Sequence, residues 1–205
     1  GTSYPEKLEP NQCESYKDIV IWTDEDFPEY KVDKCNNSIA FCLSTGSSIM
    51  RIIVRIIYPK DITDEVKREI YECLDYASKA AFASVVGQIG VMEGAPETIP
   101  AILPNILEIA FTVGREAFYQ CIKDKNSYES IKGKVRFSVF YDQTSKGNWH
   151  VFNEQDALEL LEKINLYSSG LTIIPVISSF DDLANKIGID SDSLKNFIKK
   201  TWKYT

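Results

Sequence analysis

The chain has 205 residues, 44% of them hydrophobic, which is enough apolar material for one sizeable core and sets the expectation of a single domain over 1–205. Its 23 basic and 30 acidic residues give a net charge of −7, which excludes broad attraction to nucleic acid or anionic membrane and leaves that role to local basic patches. The opening GTSYPEKLEP has neither the basic start nor the apolar stretch of a secretion signal, and Gly1 in place of Met is expected either of a start introduced for expression or of a mature form with a leader removed.

Three apolar runs come first: DIVIWT (Asp18 to Thr23), SIAFCLST (Ser38 to Thr45) and IMRIIVRIIY (Ile49 to Tyr58). Their β-branched content and flanking Gly, Asn, Ser and Pro predict strands, with Thr45-Gly46-Ser47-Ser48 as a tight hairpin turn. In the third run Met50, Ile52, Val54, Ile56 and Tyr58 share one face, expected to be the fully buried one. Arg51 and Arg55 share the other face with Ile49, Ile53 and Ile57. Asn36-Asn37-Ser38 is a glycosylation sequon that matters only in a protein secreted by a eukaryote.

Thr63 or Asp61 is placed to cap a helix over about 63–93, and Thr98, Pro100 and Pro104 mark the start of a second over about 99–124. Strands return with GKVRFSVFYD (Gly133 to Asp142), followed by a predicted hairpin through Gly147 to NWHVF. NEQDALELLEKI has helical spacing, LTIIPVI reads as a short extended segment, and FDDLANKIGIDSDSLKNFIKKTW reads as two short helices about Gly188. Strands grouped at both ends of a central helical pair predict an α+β fold, with an antiparallel or mixed sheet, a central antiparallel helical hairpin and short C-terminal helices.

The helical pair carries two nearly charge-free runs, Ala80 to Met92 and Ile102 to Gly114. A membrane crossing needs about 18–20 apolar residues, and both runs meet Lys79, Glu93, Glu108 or Arg115 first, so no transmembrane helix is expected. An antiparallel turn about Glu97 instead brings small and apolar residues level: Cys73 with Cys121, Ala77 with Ala117, Ala80 with Gly114, Ser84 with Ala110, Gly87 with Leu107, and Val91 with Leu103. Such a seam permits the close approach that a disulfide between Cys73 and Cys121 requires. That bond implies an oxidising compartment and a secreted or extracytoplasmic protein. The five cysteines, Cys13, Cys35, Cys42, Cys73 and Cys121, are odd in number, so one remains unpaired if the others pair.

For function, four cations are singled out as a surface for an anion or an acidic partner: Arg51 and Arg55 on one strand, Lys134 and Arg136 on another, provided the strands are neighbours of matching parity. A second surface is the tip of the helical hairpin, Glu93, Gly94 and Glu97, which could enter a bilayer as hydrophobic hairpins of some bacterial toxins do. A third is segment 180–203, which resembles a helix-turn-helix through Leu183-Ala184, Ile187-Gly188-Ile189, Leu194 and Phe197, with Lys195, Lys199, Lys200 and Lys203 beside it. Asp181, Asp182, Asp190 and Asp192 oppose DNA phosphates there, and no arginine is present to read guanine.

Catalytic chemistry has little foothold. His150 is the one histidine, no GxSxG or phosphate-cradling glycine loop occurs, and the acidic run Thr23-Asp24-Glu25-Asp26, read as a surface loop, lacks the alternating ligands of an EF-hand. Without CxxC or a Cys/His cluster, neither a metal nor a cofactor is expected. The expectation is thus a non-catalytic secreted or surface-exposed binding protein, membrane-active and toxin-like in one version, whose partner is a protein or a lipid. A DNA-binding regulator using 180–203 is the alternative.

Overall fold

The computed structural model describes residues 6–34, 41–90 and 99–151, together with residues 156 and 159. In chain order these form β1 (Glu14–Lys34), β2 (Phe41–Pro59), α1 (Asp64–Gly90), α2 (Ile99–Lys123), the single turn α3 (Tyr128–Ile131), β3 (Arg136–Ser145) and β4 (His150–Val151). The sheet is antiparallel in the order β1-β2-β3, with β4 also on β2, and the two long helices pack as a hairpin, giving the α+β fold. The predicted C-terminal elements lie outside the described residues, apart from Asp156 and Glu159, which are helical.

Strand β2 is the middle of the sheet, and its pattern shows why. Met50, Ile52, Val54, Ile56 and Tyr58 alternate onto one face and are all 3% exposed or less. Burying each such side chain contributes about 1.5–3 kcal/mol, so a one-residue slip, which would swap Arg55 for Val54 on that face, is strongly disfavoured. The expectation that only this face is buried needs correcting, because Ile53, Arg55 and Ile57 opposite are 8%, 5% and 0% exposed. Residues 6–9 lie against that second face and cover it, through contacts described below.

Helix α1 starts where its capping residue dictates. The Val66 N–H donates to Thr63 Oγ1 (3.2 Å) and the Lys67 N–H to Thr63 O (3.0 Å), while Asp64 and Glu65 in the first turn complement the helix dipole. Ile70, Leu74, Ala77, Ala81 and Val85, spaced by three and four, form its buried stripe. In α2 the same spacing buries Leu103, Ile106, Leu107, Ala110, Phe118 and Ile122. The helices lie on the sheet through Phe137 of β3, whose ring is 6.0 Å from that of Phe111 and 6.2 Å from that of Phe118, and through a hydrogen bond of 2.9 Å between the Tyr58 and Tyr71 hydroxyls.

The level of the hairpin is the expected one at both ends. Cys73 and Cys121 form a disulfide with Cα atoms 5.5 Å apart, and nearer the tip Gln88 Nε2 donates to Ile106 O (3.4 Å) while Asn105 Nδ2 donates to Gln88 Oε1 (3.5 Å). In the middle, a Cβ on Gly114 would stand 3.3 Å from the Ala81 Cβ, so Ala81 rather than Ala80 is its neighbour. The pairing of Gly87 with Leu107 is also corrected: Gly87 is exposed and a Cβ there would meet nothing within 4 Å. A helix turns about 100° per residue, so the seam that runs through Gln88 leaves Gly87 facing solvent.

The chain divides into two compact units, Gly1–Thr23 with Met50–Val91 and Asn105–Asp142, and Asp24–Ile49 with Met92–Pro104 and Gln143–Thr205. In the second unit two turn expectations fail. Thr45 to Ser48 is no hairpin; β2 runs straight through it. Gly46 sits there because the Trp149 ring lies over the strand, 3.1 Å from where a Cβ would be, so the glycine permits close approach rather than a turn. Nor does Gly147 return the chain as a hairpin onto β3. Its left-handed backbone (φ 70°) produces an excursion after which β4 pairs with β2, Ser44 opposite Val151 and Thr45 opposite His150. The Lys146 N–H bonds to Ser47 O (2.9 Å) before the excursion, and Asn148 then exchanges two side-chain bonds of 2.8 Å with Ser47. The acidic run Asp24-Glu25-Asp26 is likewise strand rather than loop, with Asp26 paired to Lys146 at 2.8 Å.

Candidate functional site

The first unit contains the arginine cluster. Alternation along β2 sends Arg51 and Arg55 to the face away from the helices, and Arg136 of β3 joins them: both Arg55 and Arg136 reach Glu9, and Arg51 pairs with Asp142 of β3. Three of the four predicted cations therefore share one face. Lys134 does not, since it lies before β3, exposed, with its backbone N–H bonded to Ile131 O (2.9 Å) after the left-handed Gly133 (φ 77°).

Arg55 is the centre. Its Nε and Nη2 donate to the two carboxylate oxygens of Asp18 at 2.7 and 2.9 Å, and its Nη1 donates to Leu8 O at 2.9 Å and lies 3.5 Å from Glu9 Oε2. The guanidinium carbon stacks 4.2 Å from the Tyr16 ring centre and 4.9 Å from that of Phe140. The hydrogen bonds to Asp18, outweighing burial, hold its proton more tightly than usual. The Arg55 side chain is 6% exposed and that of Asp18 31%, so the pair is part-buried, and its arginine ties β1 and residues 8–9 to β2.

Arg136 grips Glu14 with both Nη2 (2.7 Å) and Nε (3.3 Å), and Nη2 also donates to Glu9 O (2.9 Å). The hydrogen bonds from Arg136 to the Glu14 carboxylate first, and the Asn11 N–H second, hold that carboxyl below its ordinary range. Lys7 lies 3.5 Å from Glu9 and 5.2 Å above the Phe140 ring. Four cations, Lys7, Arg51, Arg55 and Arg136, thus face four carboxylates, Glu9, Glu14, Asp18 and Asp142. An anion arriving at this face competes with a carboxylate already in place.

The carboxylates and the segment 6–9 were not singled out from sequence. The alternation of Glu14, Tyr16 and Asp18 was the available signal, since it places two acids and an aromatic on one face of β1. Beside this cluster a cavity of ≈ 300 Å³ is lined by Lys7, Asp18, Ile53, Arg55, Phe140, Tyr141 and Asp142.

The helical hairpin presents a different surface. At its base a cavity of ≈ 350 Å³ is lined by Tyr76, Gln120, Cys121, Asp124 and Lys125. Exposed positions on α1 up to Lys79 are charged apart from Tyr76, as Asp64, Glu65, Lys67, Arg68, Glu72 and Asp75, and those beyond it are uncharged, as Phe82, Ala83, Val86, Gly87 and Gly90. The predicted tip residues Glu93, Gly94 and Glu97 lie outside the described residues, as does the whole helix-turn-helix-like segment. His150 is exposed on β4, opposite Thr45. Among the described residues no group of three His, Cys, Asp or Glu side chains converges as metal ligands, and no helix is long and apolar enough to cross a membrane. No known protein family, curated protein or solved structure matches the chain.

Proposed function

We propose that this protein acts by binding, in an oxidising extracytoplasmic setting, and that the second half of α1 is its contact surface for an apolar target, with a lipid surface as the leading one. The observation that carries the reading is the change of character along the exposed side of α1. Phe82 and Val86 are 46% and 45% exposed, on a stretch from Ala80 to Gly90 without a charge, and Ile109 of α2 is 38% exposed. Single exposed apolar residues are ordinary on protein surfaces; here two large ones, Phe82 and Val86, lie one helical turn apart with no charge around them. The Cys73–Cys121 disulfide supports the compartment, because such bonds persist where thiols are not kept reduced.

The test is flotation with neutral and with anionic vesicles, at neutral and mildly acidic pH, comparing the parent chain with a Phe82→Glu/Val86→Glu variant. Both side chains are half exposed, so the variant is expected to unfold within about 0.5 kcal/mol of the parent per site. Association of the parent and its loss in the variant supports the proposal. Equal association of both places the surface elsewhere, and no association under any condition removes the lipid target.

A further inference from the structure

The two sulfurs of the hairpin disulfide meet different surroundings. Cys73 lies in the buried stripe of α1 with Ile70, Leu74 and Ala77 and is 0% exposed. Cys121, in the last turn of α2, is partly exposed and lines the cavity of ≈ 350 Å³ at the base of the hairpin. The bond therefore has one open side. After Cys121 the chain turns back on the end of α2, with the Asp124 N–H donating to Cys121 O (3.3 Å) and the Lys125 N–H to Ile122 O (3.0 Å). That turn sets a carboxylate and an ammonium in the cavity wall beside the sulfur, where Gln120 and Tyr76 also line it. Lys125 pairs with Glu72 of α1 (3.0 Å), which keeps its ammonium at this end of the helices.

From this geometry we infer that the base of the hairpin is a thiol-exchange site, at which a small thiol of the amino-acid type attacks Cys121 while Cys73 acts as the resolving thiol. The cavity volume is at the small end of those that hold ligands, which suits a molecule of amino-acid size. Asp124 and Lys125 complement the ammonium and carboxylate that such a thiol carries. The incoming thiolate forms an S–S bond to Cys121 Sγ as the Cys73–Cys121 bond breaks. The electron pair leaves on Cys73 Sγ, which takes up the proton that the small thiol released on ionising. Cys73 ends as the neutral thiol, because burial among apolar side chains disfavours the charged form. Cys73 then restores the original bond by the reverse attack, unless a second small thiol takes the mixed disulfide to free Cys121 and departs as the symmetrical small disulfide. Direct attack on Cys73 has no route from solvent, so exchange enters and leaves through Cys121.

Peptide mapping of the mixed disulfide tests this. The folded parent chain is treated with L-cysteine or with uncharged 2-mercaptoethanol, then quenched and alkylated in acidic denaturant and digested. The expected product carries the added thiol on Cys121 and the alkyl group on Cys73, with the adduct on Cys121 exceeding any on Cys73 by about tenfold or more. Comparable adducts on both, an adduct on Cys73 alone, or no adduct on Cys121 before denaturant is added overturns the inference. A Cys73→Ala chain, which has no resolving thiol, is expected to accumulate the Cys121 adduct from cystine; where that variant fails to fold, the parent map decides. Asp124→Asn/Lys125→Gln is expected to slow the reaction with L-cysteine severalfold relative to that with 2-mercaptoethanol, and an unchanged ratio of the two rates overturns the assignment of an amino-acid thiol.

Discussion

Reducing the Cys73–Cys121 bond is the perturbation with the largest expected effect on stability. The two residues are 48 apart in sequence, and closing a loop of that size in the unfolded chain removes entropy equivalent to about 4 kcal/mol at 25 °C. The folded base of the hairpin does not depend on the bond alone. Lys125 pairs with Glu72 at 3.0 Å, and the buried Glu69 accepts both the hydroxyl (2.7 Å) and the N–H (3.3 Å) of Ser127. The reduced protein is therefore expected to keep its fold and lose stability through the gain in unfolded-state freedom. For a chain of this length about 4 kcal/mol corresponds to a melting temperature lower by roughly 8–16 °C. Urea and thermal unfolding of the oxidised parent, the reduced parent and a Cys73→Ala/Cys121→Ala variant measure it, with thiol titration in denaturant confirming the redox state. Agreement of all three within about 1 kcal/mol would refute the loop-entropy reasoning.

Two glycines and one carboxylate give further checks. Gly114→Ala places a Cβ 2.8 Å from Cζ of Phe137, a ring already packed by Phe111 and Phe118, and is expected to cost about 1–3 kcal/mol by overpacking; Gly87→Ala meets nothing and is expected to stabilise by about 0.5–1 kcal/mol through helix propensity. Denaturant midpoints that move the same way for both would contradict the seam as described. Glu14 is a carboxyl whose folded pKa is depressed below its ordinary 4.5, so its stabilisation is complete above that value and is lost as pH falls through the lower folded one. Arg136→Gln is expected to move the Glu14 titration, followed by NMR, back up toward the ordinary value, and an unchanged midpoint would show that Arg136 is not the cause.

The outer sheet face illustrates how a cluster of arginines can be structural. Seen along β2 and β3 alone, Arg51, Arg55 and Arg136 resemble a site awaiting an anion. With β1 and residues 6–9 in place they hold parts of their own chain together, and Arg55 is only 5% exposed. Charge on this face is balanced locally by Glu14, Asp18 and Asp142.

Local rules determined much of this protein from sequence. Thr63 caps α1 because its hydroxyl reaches an N–H three residues on; the parity of β2 follows from alternation; and the level of the helical hairpin follows from the spacing of its small residues and two cysteines. Interactions between segments distant in sequence decided the rest. Gly46 carries the same local signal whether it turns the chain or admits a ring, and only the arrival of Trp149, about a hundred residues later, makes it the second. Gly87 misses the seam by one residue because packing, not composition, sets how α1 is rotated about its own axis, and one residue is about 100° of that rotation. Arg55 is buried only because Asp18 and residues 6–9 converge on it, and a charge leaves water only where tertiary structure supplies its partners in place of solvent.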